Sequence, residues 1–186
     1  MYWSDVTFVH MTVTMRHLRI VALLSAVLLI AGCGDLLSLH ALYTAQENVA
    51  DPAIEGKWEN KDNLLTVQRV ADFYEVKLQS KKDPSESAKY EVRLVNIGNI
   101  RFADLLSADI VGHMFLKVRV TGDQLHFAFF DSEWLRDRIP HEEADLVSHG
   151  KQAVLTAQTA ELRNLVAKFA SQPKAYDEEM TYRRPK

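Results

Sequence analysis

The chain holds a single cysteine, Cys33, among its 186 residues. An internal disulfide is therefore excluded, and so is a zinc site built on several thiolates. Seven glycines and five prolines are too few for a collagen-like or low-complexity segment. Charge of one sign is not in excess: 22 basic and 25 acidic residues are interspersed and leave a net charge of −3. With no basic stripe and no acidic tail, no nucleic-acid partner is expected. What remains is ordinary globular material, 47% hydrophobic and 25% charged, enough for one domain with appendages.

The sharpest pattern is Met15 to Cys33, MRHLRIVALLSAVLLIAGC. Arg16 and Arg19 make a short positive start, and Ile20 to Gly32 is an uncharged apolar run of 13 residues. A membrane-spanning helix needs about 20 apolar residues, so the run has the length of a signal-peptide hydrophobic region. It ends in Ile30-Ala31-Gly32-Cys33, an aliphatic residue, two small residues and a cysteine, which resembles the lipobox of bacterial lipoproteins. The resemblance implies that residues 15–32 are removed as a signal peptide and that Cys33 is acylated on sulfur and on its new N-terminus, making a membrane the first partner. One acyl chain anchors only marginally, at about 0.8 kcal/mol per buried CH₂, so two or three chains on Cys33 are what stable anchoring requires. Gly34 follows the cysteine, where Asp marks inner-membrane retention in many enteric lipoproteins. The resemblance therefore implies the periplasmic face of the outer membrane.

Residues 1–14 carry Asp5 and no Lys or Arg, which does not suit a signal-peptide start; Met15 is the expected start, and 1–14 a mis-called upstream stretch. Residues 33–186 then hold 20 basic and 24 acidic residues, a net charge of −4. Residues 33–43, with Leu36, Leu37, Leu39 and Leu42, read as a lipidated tether. Thr44-Ala-Gln-Glu47 has capping-box spacing and predicts a short N-terminal helix that stops near Asp51-Pro52.

From Gly56 the apolar period changes to two. A two-residue turn fixes a hairpin's register, and the register must gather apolar residues on one face. A Gly122-Asp123 turn pairs Val120 with Leu125, Val118 with Phe127 and Leu116 with Phe129, and sets Arg119 opposite His126. A Gly98-Asn99 turn pairs Leu94 with Ala103 and Val92 with Leu105, with Val95 facing Phe102 and Arg93 facing Asp104. A turn at Ala71-Asp72, which lacks glycine, pairs Val67 with Val76 and Leu65 with Leu78. The predicted strands are 56–60, 64–70, 73–80, 88–97, 100–106, 113–121 and 124–130, with 152–157 as the eighth. Asp131 caps a short helix ended by Pro140. Thr159 to Ala170 places Leu162, Leu165, Val166 and Phe169 on one helical face. Residues 171–186 read as a loose polar tail.

Eight strands in meander order favour a closed barrel, because closure removes exposed edges. Gly56-Lys57-Trp58 resembles the G-x-W opening of the lipocalins, and the late strand-then-helix resembles the end of bacterial lipocalins; the T-D-Y signature of that family is absent. The expected fold is mainly β, an eight-stranded antiparallel lipocalin-like barrel or sandwich over residues 44–170 with short N-terminal and C-terminal helices.

Catalytic signatures are missing. His40, His113, His126, His141 and His149 form no metal-binding spacing, and no serine stands in a nucleophile elbow. Among the carboxylates Asp104, Asp109, Asp131, Glu133 and Asp137, spacing singles out no pair, and Arg93 is expected to neutralise Asp104. His126, facing Arg119, has Asp131 and His113 as possible neighbours at a barrel end. No enzyme, cofactor or metal is expected. Trp58, Tyr74, Tyr90, Phe127 and Phe129 fall on inward faces and are the candidate lining for a small hydrophobic ligand, if the barrel is open; equally, they fill it. Phe115 and Phe130, on the outer face, are expected beneath the C-terminal helix. Two functions follow: a lipid-anchored binding module for a hydrophobic molecule, or a protein-interaction lipoprotein. The second, an accessory of an envelope machine or an inhibitor of a cell-wall hydrolase, would present a loop such as 81–87 or 107–113.

Overall fold

The alternation that begins at Gly56 becomes strand in a computed structural model that describes residues 36–44, 46–107, 110–139, 146–149 and 152–186. The upstream stretch 1–14, the apolar run, Cys33, Asp109 and His141 lie outside the described residues.

Seven consecutive antiparallel strands carry the meander: β2 (Gly56–Glu59), β3 (Asn63–Val70), β4 (Phe73–Ser80), β5 (Ser87–Ile97), β6 (Ile100–Ser107), β7 (Ile110–Thr121) and β8 (Gln124–Phe129). The three hairpin registers hold as the turn chemistry requires. Val67 pairs with Val76, Leu94 with Ala103, and Val118 with Phe127. Gly98 (φ 61°) and Gly122 (φ 59°) occupy the first turn positions with positive φ, which glycine adopts without steric cost. Ala71 takes the same place at φ 54°, where an L-residue costs about 1–2 kcal/mol. Glycine's extra unfolded-state entropy offsets part of that, so Ala71→Gly is expected to stabilise the protein by about 0.5 kcal/mol, measured as a higher urea midpoint at constant slope.

The barrel closes with eight strands, but the eighth is not 152–157. It is β11 (Met180–Arg183), within the segment expected to be a loose tail. β11 pairs along its length with β8, from Met180↔Phe127 to Arg183↔Gln124, and touches β2 through Arg183↔Glu59. Met180 and Tyr182 alternate with Thr181 and Arg183, so even four residues suffice to put Tyr182 into the barrel interior, where it is 2% exposed. Residues 152–155 form β10 on an outer flap. There β10 pairs parallel with β1 (Leu36–Ser38) and antiparallel with β9 (Leu146–His149), and β1 meets β7 through Ser38↔His113. Gly112 permits that last approach, since a Cβ on it would stand 2.9 Å from the Ser38 carbonyl oxygen.

Two apolar cores result. One fills the barrel, with Trp58, Tyr74, Leu94, Leu105, Leu116 and Tyr182 among its buried members. The other lies outside the wall of β5–β8. Here Val95, Phe102, Phe115 and Phe130 are covered by α2 (Thr159–Phe169) through Leu162, Leu165, Val166 and Phe169, the four residues that the helical spacing selects. A void of about 10 Å³ in this core is lined by apolar side chains alone, at the lower limit for one water molecule. The short helix α1 (Ser132–Arg136) is capped by Asp131, whose Oδ1 accepts the Trp134 N–H at 2.8 Å.

The N-terminal segment is no free tether. Leu36 and Leu42 are buried in the outer core, Arg163 of α2 donates to the Leu42 carbonyl at 3.0 Å, and Thr159 donates to the Ala41 carbonyl at 2.8 Å. The helix expected after Thr44 does not form. Thr44 Oγ1 bonds Glu47 Oε2 at 2.7 Å, and the backbone then bridges strand β5 at Asn48↔Val95. The β5 edge offers hydrogen bonds that a helix of so few residues before Pro52 cannot match. A single 3₁₀ turn follows at Pro52–Ile54.

Burial also fixes an alkaline limit. Burial pushes the Tyr182 hydroxyl up from its ordinary pKa, against the partial opposition of hydrogen bonds with Asn63 and Asn60, and burial pushes Tyr176 up strongly. The unfolded chain loses these protons near pH 10, while the folded chain keeps them. Stability is therefore full below pH 10 and is expected to fall above it, by up to about 1.4 kcal/mol per pH unit for each tyrosine. Urea midpoints between pH 9 and 11, with tyrosinate absorbance followed in parallel, measure the fall.

Candidate functional site

The five aromatics proposed to line a cavity all face the barrel interior. Trp58 and Tyr74 are 0% and 2% exposed; Tyr90, Phe127 and Phe129 are partly buried against the same core. The polar atoms of Trp58 and Tyr74 are committed to the protein itself. Trp58 Nε1 donates to the Ile54 carbonyl at 2.7 Å, and the Tyr74 hydroxyl accepts the Asp51 N–H at 2.8 Å. Phe127 stacks on Tyr182 with centroids 5.3 Å apart and meets Phe129 edge-on at 6.4 Å. The half of the barrel holding Trp58 and Tyr74 is packed core.

That end is closed by residues 48–54. Val49 donates its N–H to the Leu94 carbonyl at 2.8 Å, Asp51 is ion-paired with Arg101, and Ile54 is buried in the barrel core. Arg184 fastens the segment from the other side. Its guanidinium bonds the carbonyls of Glu55 (3.0 Å) and Ala53 (3.1 Å) and lies 4.1 Å from the centroid of the Trp58 ring. Glycine in Gly56-Lys57-Trp58 has a physical reason: its φ is 111°, a conformation that L side chains rarely adopt, and a Cβ there would also push the Arg184 guanidinium, 2.7 Å away, out of its place.

Beside this closure the wall parts. The β6–β7 ladder stops at Phe102↔Lys117, whereas β5–β6 continues to Ile97↔Ile100 and β7–β8 to Thr121↔Gln124. The two hairpin ends diverge around an open groove of about 680 Å³. One bank carries Ile100 and Arg101, the other Lys117 to Val120, and Asp51, Ala53 and Ile54 complete the lining. No feature of the sequence marked this slot, since each hairpin taken alone is regular.

The titratable residues sort differently from expectation. Arg93 does not neutralise Asp104; it pairs with Glu91 and Asp72 and stacks on Tyr43 at 4.9 Å and Phe73 at 5.4 Å. Asp104 is 2% exposed and receives the Leu42 N–H on Oδ2 at 2.6 Å, while its Oδ1 meets His113 Nδ1 at 2.6 Å. The pair is a clamp on the N-terminal segment, because a buried carboxylate without such partners costs several kcal/mol. His126 stands opposite Arg119 as the register required, but its neighbours are Thr181 at 3.1 Å and Glu179 at 3.1 Å, not Asp131 or His113. Glu179 accepts two bonds from Arg119. Burial raises the Glu179 pKa, but the bonds from Arg119 and the proximity of His126 outweigh it and hold the carboxyl below its ordinary value. No group of three metal-ligating side chains occurs among the described residues, nor any helix long and apolar enough to cross a membrane.

Comparison with protein-family models, with curated proteins and with solved structures yields no match.

Proposed function

We propose that this chain is a lipid-anchored lipoprotein of the cell envelope, held through Cys33 at the periplasmic face of the outer membrane, whose barrel is a rigid scaffold for contacts with an envelope protein. One observation carries the choice over a carrier of small hydrophobic ligands. Trp58 and Tyr74, which would have to line a binding cavity, are buried and hydrogen-bonded to the segment that closes the barrel, and a barrel of eight strands is narrow enough for side chains to fill. The lipid anchor is supported by the lipobox resemblance at Ile30 to Cys33. Only Gly34 and Asp35 separate that cysteine from β1, so acyl chains there would join the domain without a long linker.

Two experiments test the two halves. Metabolic palmitate labelling is expected in the full chain and absent in Cys33→Ala; label that survives the substitution overturns the anchor. Native mass spectrometry of the domain recovered from a bacterial periplasm is expected to give an apo mass. A reproducible bound lipid mass would return the barrel to ligand carriage.

A further inference from the structure

The slot between β6 and β7 has the chemistry of a strand acceptor. In a two-residue hairpin the residues flanking the turn exchange backbone hydrogen bonds, and the next residues along turn their N–H and C=O outward. Ile97↔Ile100 and Thr121↔Gln124 are those flanking pairs. By that alternation the Phe102↔Lys117 pair is held by the Val118 N–H donating to the Arg101 carbonyl, and beyond it the Arg101 N–H, the Val118 carbonyl and both backbone groups of Val120 point into the slot. The ladder across it ends at Phe102↔Lys117, so Val120 keeps both its N–H and its C=O without a strand partner. Inside a closed barrel such an edge is otherwise abolished.

The side chains around the slot favour one sign of partner. Arg101, Lys117 and Arg119 stand at it. Asp51 answers Arg101 and Glu179 answers Arg119, but Lys117 has only the ring of Tyr176, 5.2 Å from its ammonium, and makes no ion pair among the described residues. The balance is one uncompensated cation.

We infer that this slot is the docking site for an extended, acidic segment of a partner protein, which adds as a short strand along the free edge of β7 and sets a carboxylate against Lys117. Main-chain hydrogen bonds supply the affinity in this mode, and side chains the selectivity. The inference deepens the protein-interaction reading and does not depend on the lipid anchor.

The probe is a fluorescein-labelled seven-residue peptide of alternating valine and glutamate, blocked at both ends, titrated into the full chain in detergent. Saturable anisotropy is expected, with amide shifts in ¹H–¹⁵N spectra centred on Arg101, Val118 and Val120. Methylating alternate backbone nitrogens of the peptide is expected to weaken binding about tenfold or more, as loss of two backbone hydrogen bonds implies. Lys117→Glu, an exchange on a half-buried outward position that leaves the barrel core intact, is expected to weaken the glutamate peptide and to admit its lysine counterpart. Equal binding of the methylated peptide, shifts centred elsewhere or no saturable binding each overturn the slot. A photo-crosslinking residue placed at position 117 or, on the loop remote from it, at position 82 separates the two levels in cells. Adducts only from position 82 overturn the slot and leave the interaction reading standing. A bound lipid mass together with no adduct from either position overturns both.

Discussion

A chain that ends at Tyr176 is expected to lose its cooperative unfolding transition, whereas one that ends at Arg184 keeps it unchanged. The ten residues removed in the first case hold β11, which joins the two ends of the meander. Without it the edge of β8 from Gln124 to Phe127 loses its partner, and β2 loses its contact through Arg183. The barrel core loses Tyr182, which is 2% exposed and stacked on Phe127; removing a buried aromatic side chain costs about 3–5 kcal/mol. The Arg184 guanidinium, which ties Ala53 and Glu55 beside Trp58, goes with it. A domain of this size is stable by about 5–15 kcal/mol, so the combined loss reaches the whole margin. Near-ultraviolet circular dichroism and urea titration of the two truncations read the difference. A truncation at Tyr176 with an undiminished midpoint would show that β11 is an ornament on a barrel closed by other means.

Most of the barrel was legible because three turns and their facing residues agree independently. Gly98-Asn99 and Gly122-Asp123 dictate a register, and that register gathers Leu94, Ala103, Val118 and Phe127 on one side. The eighth strand was missed for a physical reason. MTYR alternates over only four residues within a polar segment, and only Tyr182 of them is fully buried, too short a stretch for a period of two to stand out. Residues 152–155 took its place because Ala153 and Leu155 are apolar and alternate, yet they face the outer core, which period alone cannot distinguish from the barrel interior. The Asp104–His113 clamp was hidden by the β6–β7 connection. A register shift between Leu106 and Ser107 makes that pairing unpredictable from spacing. What the sequence did resolve about the site is which aromatics turn inward. Whether they enclose space depends on how far the backbone of residues 48–54 reaches over them.

Trp58→Ala is expected to lower stability by about 3–5 kcal/mol and, in the same variant, to create a binding site that the natural protein lacks. The indole is 0% exposed, its N–H is bonded to Ile54 O, and its ring lies against the Arg184 guanidinium. Deleting it leaves the Ile54 carbonyl without a donor and opens a ring-sized void between the apolar barrel core and the Arg184 guanidinium, a space that an aromatic molecule, indole above all because its N–H restores the bond to Ile54, can refill. Indole or benzene added to Trp58→Ala should therefore raise its thermal midpoint with concentration, as any ligand of the folded state does. The same molecules should leave the natural protein unmoved. This pairing separates a filled barrel from an open one more sharply than either measurement alone. Loss of stability without gained binding would mean that the wall collapses into the void, and the core would still have been full. An equal midpoint rise in the natural protein would mean that a cavity exists without any substitution. The aromatics Trp58, Tyr74, Tyr90, Phe127 and Phe129 would then be the lining of a ligand site after all.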